Sequence, residues 1–338
     1  MDSPPAPRRL VRLFRRTAPV AALLAAWLAP WIPARAADAD LRKLDGVRRI
    51  LFLGDSITQA GDYVVDAECW LVARGARVEV LNLGLGSETA SDLTPEENAG
   101  HLQKFGFGRP FVSERLARVL TKTQPDMLFA CYGMNDAGSL PPTAEGTRRF
   151  LDAVTQLRAA ALAAGVRRVV IATPPVKEAN EGEWKENVHD QNIGRYTEAL
   201  LAKKKEGWDV VDVHTPMRKA LDRERRKNPA FAFAKDTVHP GREGHWVMAT
   251  CLLEQFFGAS LGRATCAEDF FPAGGAEIRA KIRERSSVRF NAWMTAIGHG
   301  RPGVPGGPKA KPGPSIEAAE AQAAALTAEI DRLAGAKR

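Results

Sequence analysis

A serine hydroxyl becomes a useful nucleophile only when a positioned base takes its proton and donors meet the oxyanion that follows. In this chain the first candidate is Ser56, in "RRILFLGDSITQAG" (residues 48–61), where an apolar run delivers Gly54-Asp55-Ser56 into a turn. The base would come from six histidines. Among them His239 sits three residues after Asp236 in the turn-rich Asp236-Thr237-Val238-His239-Pro240-Gly241. In one turn an i, i+3 aspartate reaches the imidazole Nδ1 and leaves Nε2 facing outward, though D-x-x-H alone also fits an ordinary surface loop. Donors could come from the Asn135 side chain in Gly133-Met134-Asn135-Asp136, which otherwise reads as an Asx turn. Backbone N–H groups of "NLGLGSET" (82–89) are the other source, where Gly84 and Gly86 permit close approach.

These pieces need a frame. Five nearly continuous apolar runs, 50–53, 78–81, 127–131, 169–172 and 210–213, have the character of parallel strands covered on both faces. Between them lie helical stripes: Val112/Leu116/Val119, Phe150/Val154/Leu157/Ala161 and, over 190–206, Ile193/Tyr196/Leu200. The alternation predicts an α/β fold, a three-layer α/β/α doubly wound sheet with right-handed crossovers. Ligands bind beyond the carboxyl ends of such strands, and each polar block above follows a strand.

Four ordered blocks now coincide: Gly54-Asp55-Ser56, "NLGLGSET", Gly133-x-Asn135-Asp136 and Asp236-x-x-His239. Together they resemble the GDSL-type, or SGNH, hydrolase family over about residues 48–257. The resemblance implies a flavodoxin-like five-stranded parallel sheet and a serine esterase that uses no metal and no cofactor. It implies Ser56 as nucleophile, His239 as general base and then acid, and Asp236 as its orienting partner. The oxyanion hole would combine the Ser56 N–H, the Asn135 side chain and a second-block N–H at Ser87, with Gly84 and Gly86 as alternatives. Ser87 departs from the family pattern, which has glycine there. A backbone N–H survives that exchange, but a φ above zero would cost serine on the order of 1 kcal/mol. Asp55 then reads as turn and support.

The 338 residues carry a net charge of +8, yet six arginines and one aspartate in residues 1–36 account for five of those charges, which leaves +3 and little case for nucleic-acid binding. Residues 1–36 read as a signal peptide: an arginine-rich start, the apolar "APVAALLAAWLAPWI" and Ala34-Arg35-Ala36 as a cleavage site. The expected location is periplasmic or extracellular with no stable membrane insertion after cleavage, an uncleaved anchor being the competing reading. Of the four cysteines none has metal spacing, and Cys251 and Cys266 form the nearest pair in sequence for a disulfide. The hydrolase domain is expected over 45–260, followed by an extension (261–300), a Gly/Pro-rich linker (301–314) and a helix (315–335) to which no function is assigned.

The substrate expected is a small-molecule or glycan ester. The charged insert 176–190 carries Trp184 as its one large apolar residue and Phe105 and Phe107 stand between glycines, so both segments are candidate rim elements. No long apolar lid is evident, which favours a short acyl group, acetyl, on carbohydrate. A lipase, thioesterase or acyltransferase with the same triad, and a non-catalytic binding module on the same fold, stay open.

Overall fold

The computed structural model describes Met1 and residues 41–179 and 186–335. The expected signal peptide and Trp184 therefore lie outside the described residues, as does the rim role given to Trp184. In chain order the elements are β1 (Arg49–Gly54), α1 (Ser56–Ala60), α2 (Asp62–Ala73), β2 (Glu79–Asn82), α3 (Pro95–Phe105), α4 (Val112–Thr123), β3 (Met127–Cys131), α5 (Met134–Ala137), α6 (Ala144–Ala163), β4 (Arg168–Ala172), α7 (Val188–Ala202), β5 (Asp209–Val211), α8 (His214–Lys227), α9 (Arg242–Phe257), α10 (Gly275–Ile297) and α11 (Ile316–Leu333).

The five strands form one parallel sheet in the order β2-β1-β3-β4-β5. This is the flavodoxin-like order, whose direction of winding reverses between β1 and β3 and opens a crevice there. β1 and β3 are buried almost throughout because helices cover both faces, which is why their sequences lack alternation. Their last residues, Gly54 and Cys131, are register partners, so the loops that leave them emerge side by side.

The chain beyond the sheet is closely packed. Three arginines of α10 reach acids of α2: Arg279 to the half-buried Asp62 (2.5 Å) and the buried Asp66 (2.7 Å), Arg285 to the buried Glu68 (2.8 Å), and Arg283 to Asp62. α11 lies on α10, burying Ala319, Ala323, Leu326 and Ile330, with Arg289–Glu320 and Lys281–Glu329 pairs at 2.9 Å along the seam. The stretch expected as a linker is not a free tether. Val304 is buried, His299 Nε2 lies 2.9 Å from the Pro305 carbonyl, and a Cβ on Gly306 would sit 2.0 Å from the Met294 carbonyl. Close backbone approach, not flexibility, accounts for glycine at that position. No disulfide forms among the described residues: Cys251 is buried and free, and Cys266 is half-buried and free.

Candidate active site

β1 ends at Gly54, where a Cβ would lie 2.6 Å from the Cys131 carbonyl and 2.1 Å from Thr58 Oγ1. Asp55 then caps α1, its Oδ1 accepting from the Ile57 N–H at 2.9 Å. The cap places Ser56 at the first position of α1, with its N–H left without an intrahelical acceptor. Burial, with the Asp136 charge adding, pushes the Asp55 carboxyl up to about 7 against the hydrogen bond from Ile57. Asp55 is thus a buried structural cap.

Ser56 Oγ lies 2.8 Å from His239 Nε2, and His239 Nδ1 lies 2.6 Å from Asp236 Oδ2. The other carboxylate oxygen of Asp236 accepts from the backbone N–H groups of His239 (2.7 Å) and Val238 (3.0 Å). Partial burial raises the Asp236 pKa, but the hydrogen bond from the His239 ring and the two backbone donors outweigh it and hold the carboxyl at about 2. Asp236 at Nδ1 also fixes the tautomer that leaves Nε2 able to accept the serine proton. The pair is open to solvent, with side-chain exposures of 49% for His239 and 56% for Asp236. They border a cleft of about 490 Å³ walled by Phe231, Phe233, Lys235 and Arg242. A larger cavity of about 600 Å³ lies elsewhere, between α4 and α6, and touches none of these groups.

The turn that carries the acid and base is held under tension. Thr237 adopts φ 69°, a conformation unfavourable for a β-branched residue. Its N–H donates to the Ala234 carbonyl (2.9 Å), its carbonyl accepts from Glu178 N–H (2.8 Å), and its Oγ1 accepts from Lys177 Nζ (2.6 Å).

Opposite, the second block runs against α1. A Cβ on Gly84 would be 2.4 Å from the Gln59 nitrogen, so glycine alone fits. The N–H groups of Gly84 and Gly86 are engaged by Asn82 Oδ1 (3.0 Å) and Gln59 Oε1 (2.6 Å). Neither is therefore free to act as the alternative oxyanion donor. Ser87 takes φ 68°, the left-handed region that glycine would occupy without strain, and its N–H makes no hydrogen bond to the described residues. The hydroxyl of Ser87 meets His101 Nε2 at 3.2 Å.

Asn135, in α5 just past Gly133 (φ 125°), is fixed at both ends of its amide. Its Nδ2 donates to the Glu88 carbonyl (2.9 Å), and its Oδ1 accepts from Arg109 Nη1 (2.7 Å). These contacts decide which amide atom is which and leave a second Nδ2–H unoccupied. The neighbouring Asp136, fully buried, accepts from Ala90 N–H (3.2 Å) and Ser91 N–H (2.8 Å), clamping the residues that follow the second block to α5. Under it all, Glu88 and Arg115 form a bidentate pair at 2.6 and 2.7 Å with both side chains fully buried. Tyr132 adds a hydroxyl at 2.6 Å from Glu88. Arg109 and Arg115 were not among the residues singled out from sequence. Neither stands at a fixed spacing from the serine, asparagine or histidine blocks, so no local pattern points to them. Among the described residues, no cluster of three or more His, Cys, Asp or Glu side chains is arranged to hold a metal ion.

With a serine, an imidazole and a carboxylate in line at the switch point of a 2-1-3-4-5 sheet, family comparison becomes informative. The GDSL-like Lipase/Acylhydrolase family matches residues 52–247, more than half of the chain. The chain belongs to that family. It is an ester-bond hydrolase with the SGNH fold. No curated protein sequence matches it. Among solved structures it is similar to an acetylxylan esterase from Geobacillus stearothermophilus, at 21% identity and a TM-score of 0.44, over 64% of this chain and 97% of that one. It is also similar to a gut microbial diltiazem-metabolizing enzyme, at 21% identity and a TM-score of 0.48, over 62% of this chain and 46% of that one. The chain thus spans less than half the length of the latter. Among the described residues no helix is long and apolar enough to cross a membrane.

Proposed function

We propose that the protein is an exported serine esterase that removes short acyl groups, acetyl foremost, from carbohydrate through an acyl-enzyme on Ser56. The observation that carries this reading is the unbroken contact from Ser56 Oγ to His239 Nε2 (2.8 Å) and from Nδ1 to Asp236 (2.6 Å). His239 takes the hydroxyl proton as Oγ attacks the acyl carbon, and Asp236 stabilises the imidazolium without accepting the proton. The oxyanion forms against the unengaged N–H groups of Ser56 and Ser87 and the second Nδ2–H of Asn135. His239 then protonates the departing sugar oxygen, and a water activated by the same imidazole releases the acyl group.

The short-acyl assignment is supported by the open setting of His239 and by the charged and aromatic character of the surrounding segments. Phe105 is 54% exposed and Phe107 is half-buried against His101, whose ring meets Ser87, a disposition suited to a sugar face. Export is supported by the arginine-rich, apolar and small-x-small sequence of residues 1–36.

The test is hydrolysis of a p-nitrophenyl ester series by the wild type and Ser56→Ala. The variant should lose about 10⁴-fold or more in kcat with its circular dichroism unchanged. A phosphonate should label Ser56 and no other serine. Turnover by Ser56→Ala refutes the mechanism. Each buried methylene adds about 0.8 kcal/mol of binding, so a long acyl site would show as an optimum at about eight carbons or beyond, which would refute the acetyl assignment. Amino-terminal sequencing of the extracytoplasmic protein should begin at about residue 37.

A further inference from the structure

Two guanidinium groups stand beside the Ser56 site without an ion-pair partner among the described residues. Arg109 bonds Asn135 Oδ1 and approaches the Ser87 carbonyl at 3.5 Å, and Arg301 donates to the carbonyl of its own neighbour, Pro302. Neither makes an ion pair among the described residues, whereas Arg115, Arg279, Arg285 and Arg289 are all paired with carboxylates. The Nε–H of each is out of contact with solvent and has no acceptor. Burial depresses the pKa of both groups, and the nearby charges of Asp136 and Asp55 offset this in part for Arg109. Those two carboxylates are held elsewhere, by the backbone of Ala90, Ser91 and Ile57.

The position of Arg301 ties it to the reaction. A Cβ built on Gly86 would lie 3.8 Å from Arg301 Nε and 3.9 Å from Ser56 Cβ, so the guanidinium and the nucleophile flank one glycine. The guanidinium is stacked on Phe107 at 4.2 Å from the ring centre, which holds its plane in place, and His101 packs edge-on to the same ring at 4.8 Å. A fixed guanidinium fork with idle N–H donors matches a planar oxyacid group. We infer that the ester cleaved at Ser56 is borne by an acidic acceptor, a sugar carrying a carboxylate, which Arg301 engages over Phe107 while the positive field of Arg109 backs it.

This inference rests on the esterase reading, and the experiment separates the two. Acetate release is measured from an acetylated methyl glucuronoside, from the methyl ester of its carboxyl group, and from an acetylated methyl glucoside 6-phosphate, with p-nitrophenyl acetate alongside. The free acid should exceed its neutral ester by about tenfold or more in kcat/KM, the range of one charge-assisted hydrogen bond, and salt should erode the preference. Arg301→Gln should bring the ratio of the two close to one, and Arg301→Lys should retain part of it. Equal turnover of acid and neutral ester by the wild type overturns the inference and leaves the esterase standing. Preference for the phosphate overturns the carboxylate assignment. Failure to cleave any of the four, p-nitrophenyl acetate included, overturns the esterase reading itself. The wild-type comparison decides the matter even if Arg301→Gln fails to fold.

Discussion

Breaking the Glu88–Arg115 pair tests whether the oxyanion side of the site is held up from below. Both side chains are fully buried. Glu88 receives two short bonds from Arg115 and one from Tyr132, and Arg115 also donates to the Leu83 carbonyl at 2.8 Å. Glu88 directly follows Ser87, and its carbonyl holds the Asn135 amide. Arg115→Met strands a carboxylate with one hydroxyl partner, and removing one member of a buried pair costs about 3–5 kcal/mol. For a domain of this size that is a fall in Tm of roughly 6–15 °C. Glu88→Leu strands the guanidinium and should cost a similar amount. The double variant Glu88→Leu/Arg115→Met leaves no charge buried, so it should cost less than the two singles together by about 2–3 kcal/mol. The assays are chemical denaturation of all four proteins and p-nitrophenyl acetate kinetics at a temperature where each is folded. Glu88→Leu should lower kcat more than it raises KM, because the loosened backbone carries transition-state donors and not substrate contacts. Single variants within about 1 kcal/mol of wild type, or additive costs, would refute the claim that this pair anchors the block.

Three further outcomes follow from the site. Asp236→Asn should reduce kcat by about three to four orders of magnitude through loss of the imidazole tautomer, whereas Asp55→Asn, a cap with the same acceptor, should retain most activity; the reverse order would reassign the acid. Folded Asp55 titrates near 7 and the unfolded carboxyl near 3.8, so the unfolded chain binds fewer protons between those values. Its contribution is therefore complete at low pH and is lost as pH rises from about 4 to about 7, by up to about 4 kcal/mol; denaturation against pH should show that fall in the wild type and lack it in Asp55→Asn, and parallel curves would exclude Asp55 as its source. Ser87→Gly removes a left-handed serine worth about 1–2 kcal/mol but adds chain entropy and deletes the His101 contact, so stability should move by no more than about 1 kcal/mol with kcat retained; a tenfold loss in kcat would show that the hydroxyl takes part.

The sheet was legible because burial on both faces writes itself into sequence as continuous apolar runs. The run 127–131 coincides with β3, and the other runs lie within a residue or two of their strands. α2 escaped notice because it is buried nearly all round and shows no polar face to set a period. α10 was equally silent, since it docks through arginines, which read as surface residues until their partners on α2 are known. The same limit applies at the site. Asp236 and His239 announce themselves by being three residues apart, while Arg109, Arg115 and Arg301 act across the fold and leave no local pattern. Gly84 and Gly86 looked like donors because glycine permits close approach. In the structure that approach is used for packing on α1, and their N–H groups are engaged in it.

Strain falls on both sides of the nucleophile. Of the four non-glycine residues with positive φ among the described residues, Ser87 lies in the block that offers an oxyanion donor and Thr237 lies between the acid and the base. Each is held by contacts that a relaxed turn would not need: Ser87 between His101 and Arg109, and Thr237 between Ala234, Glu178 and Lys177. A side chain kept in a sparsely populated region persists only where its surroundings over-determine it. The gain is positional, because an exposed imidazole at 49% accessibility has little packing of its own to keep Nε2 on Ser56. The turn beneath it supplies that rigidity. Stabilising the Thr237 turn by relaxing it would then trade directly against the 2.8 Å contact on which the chemistry depends.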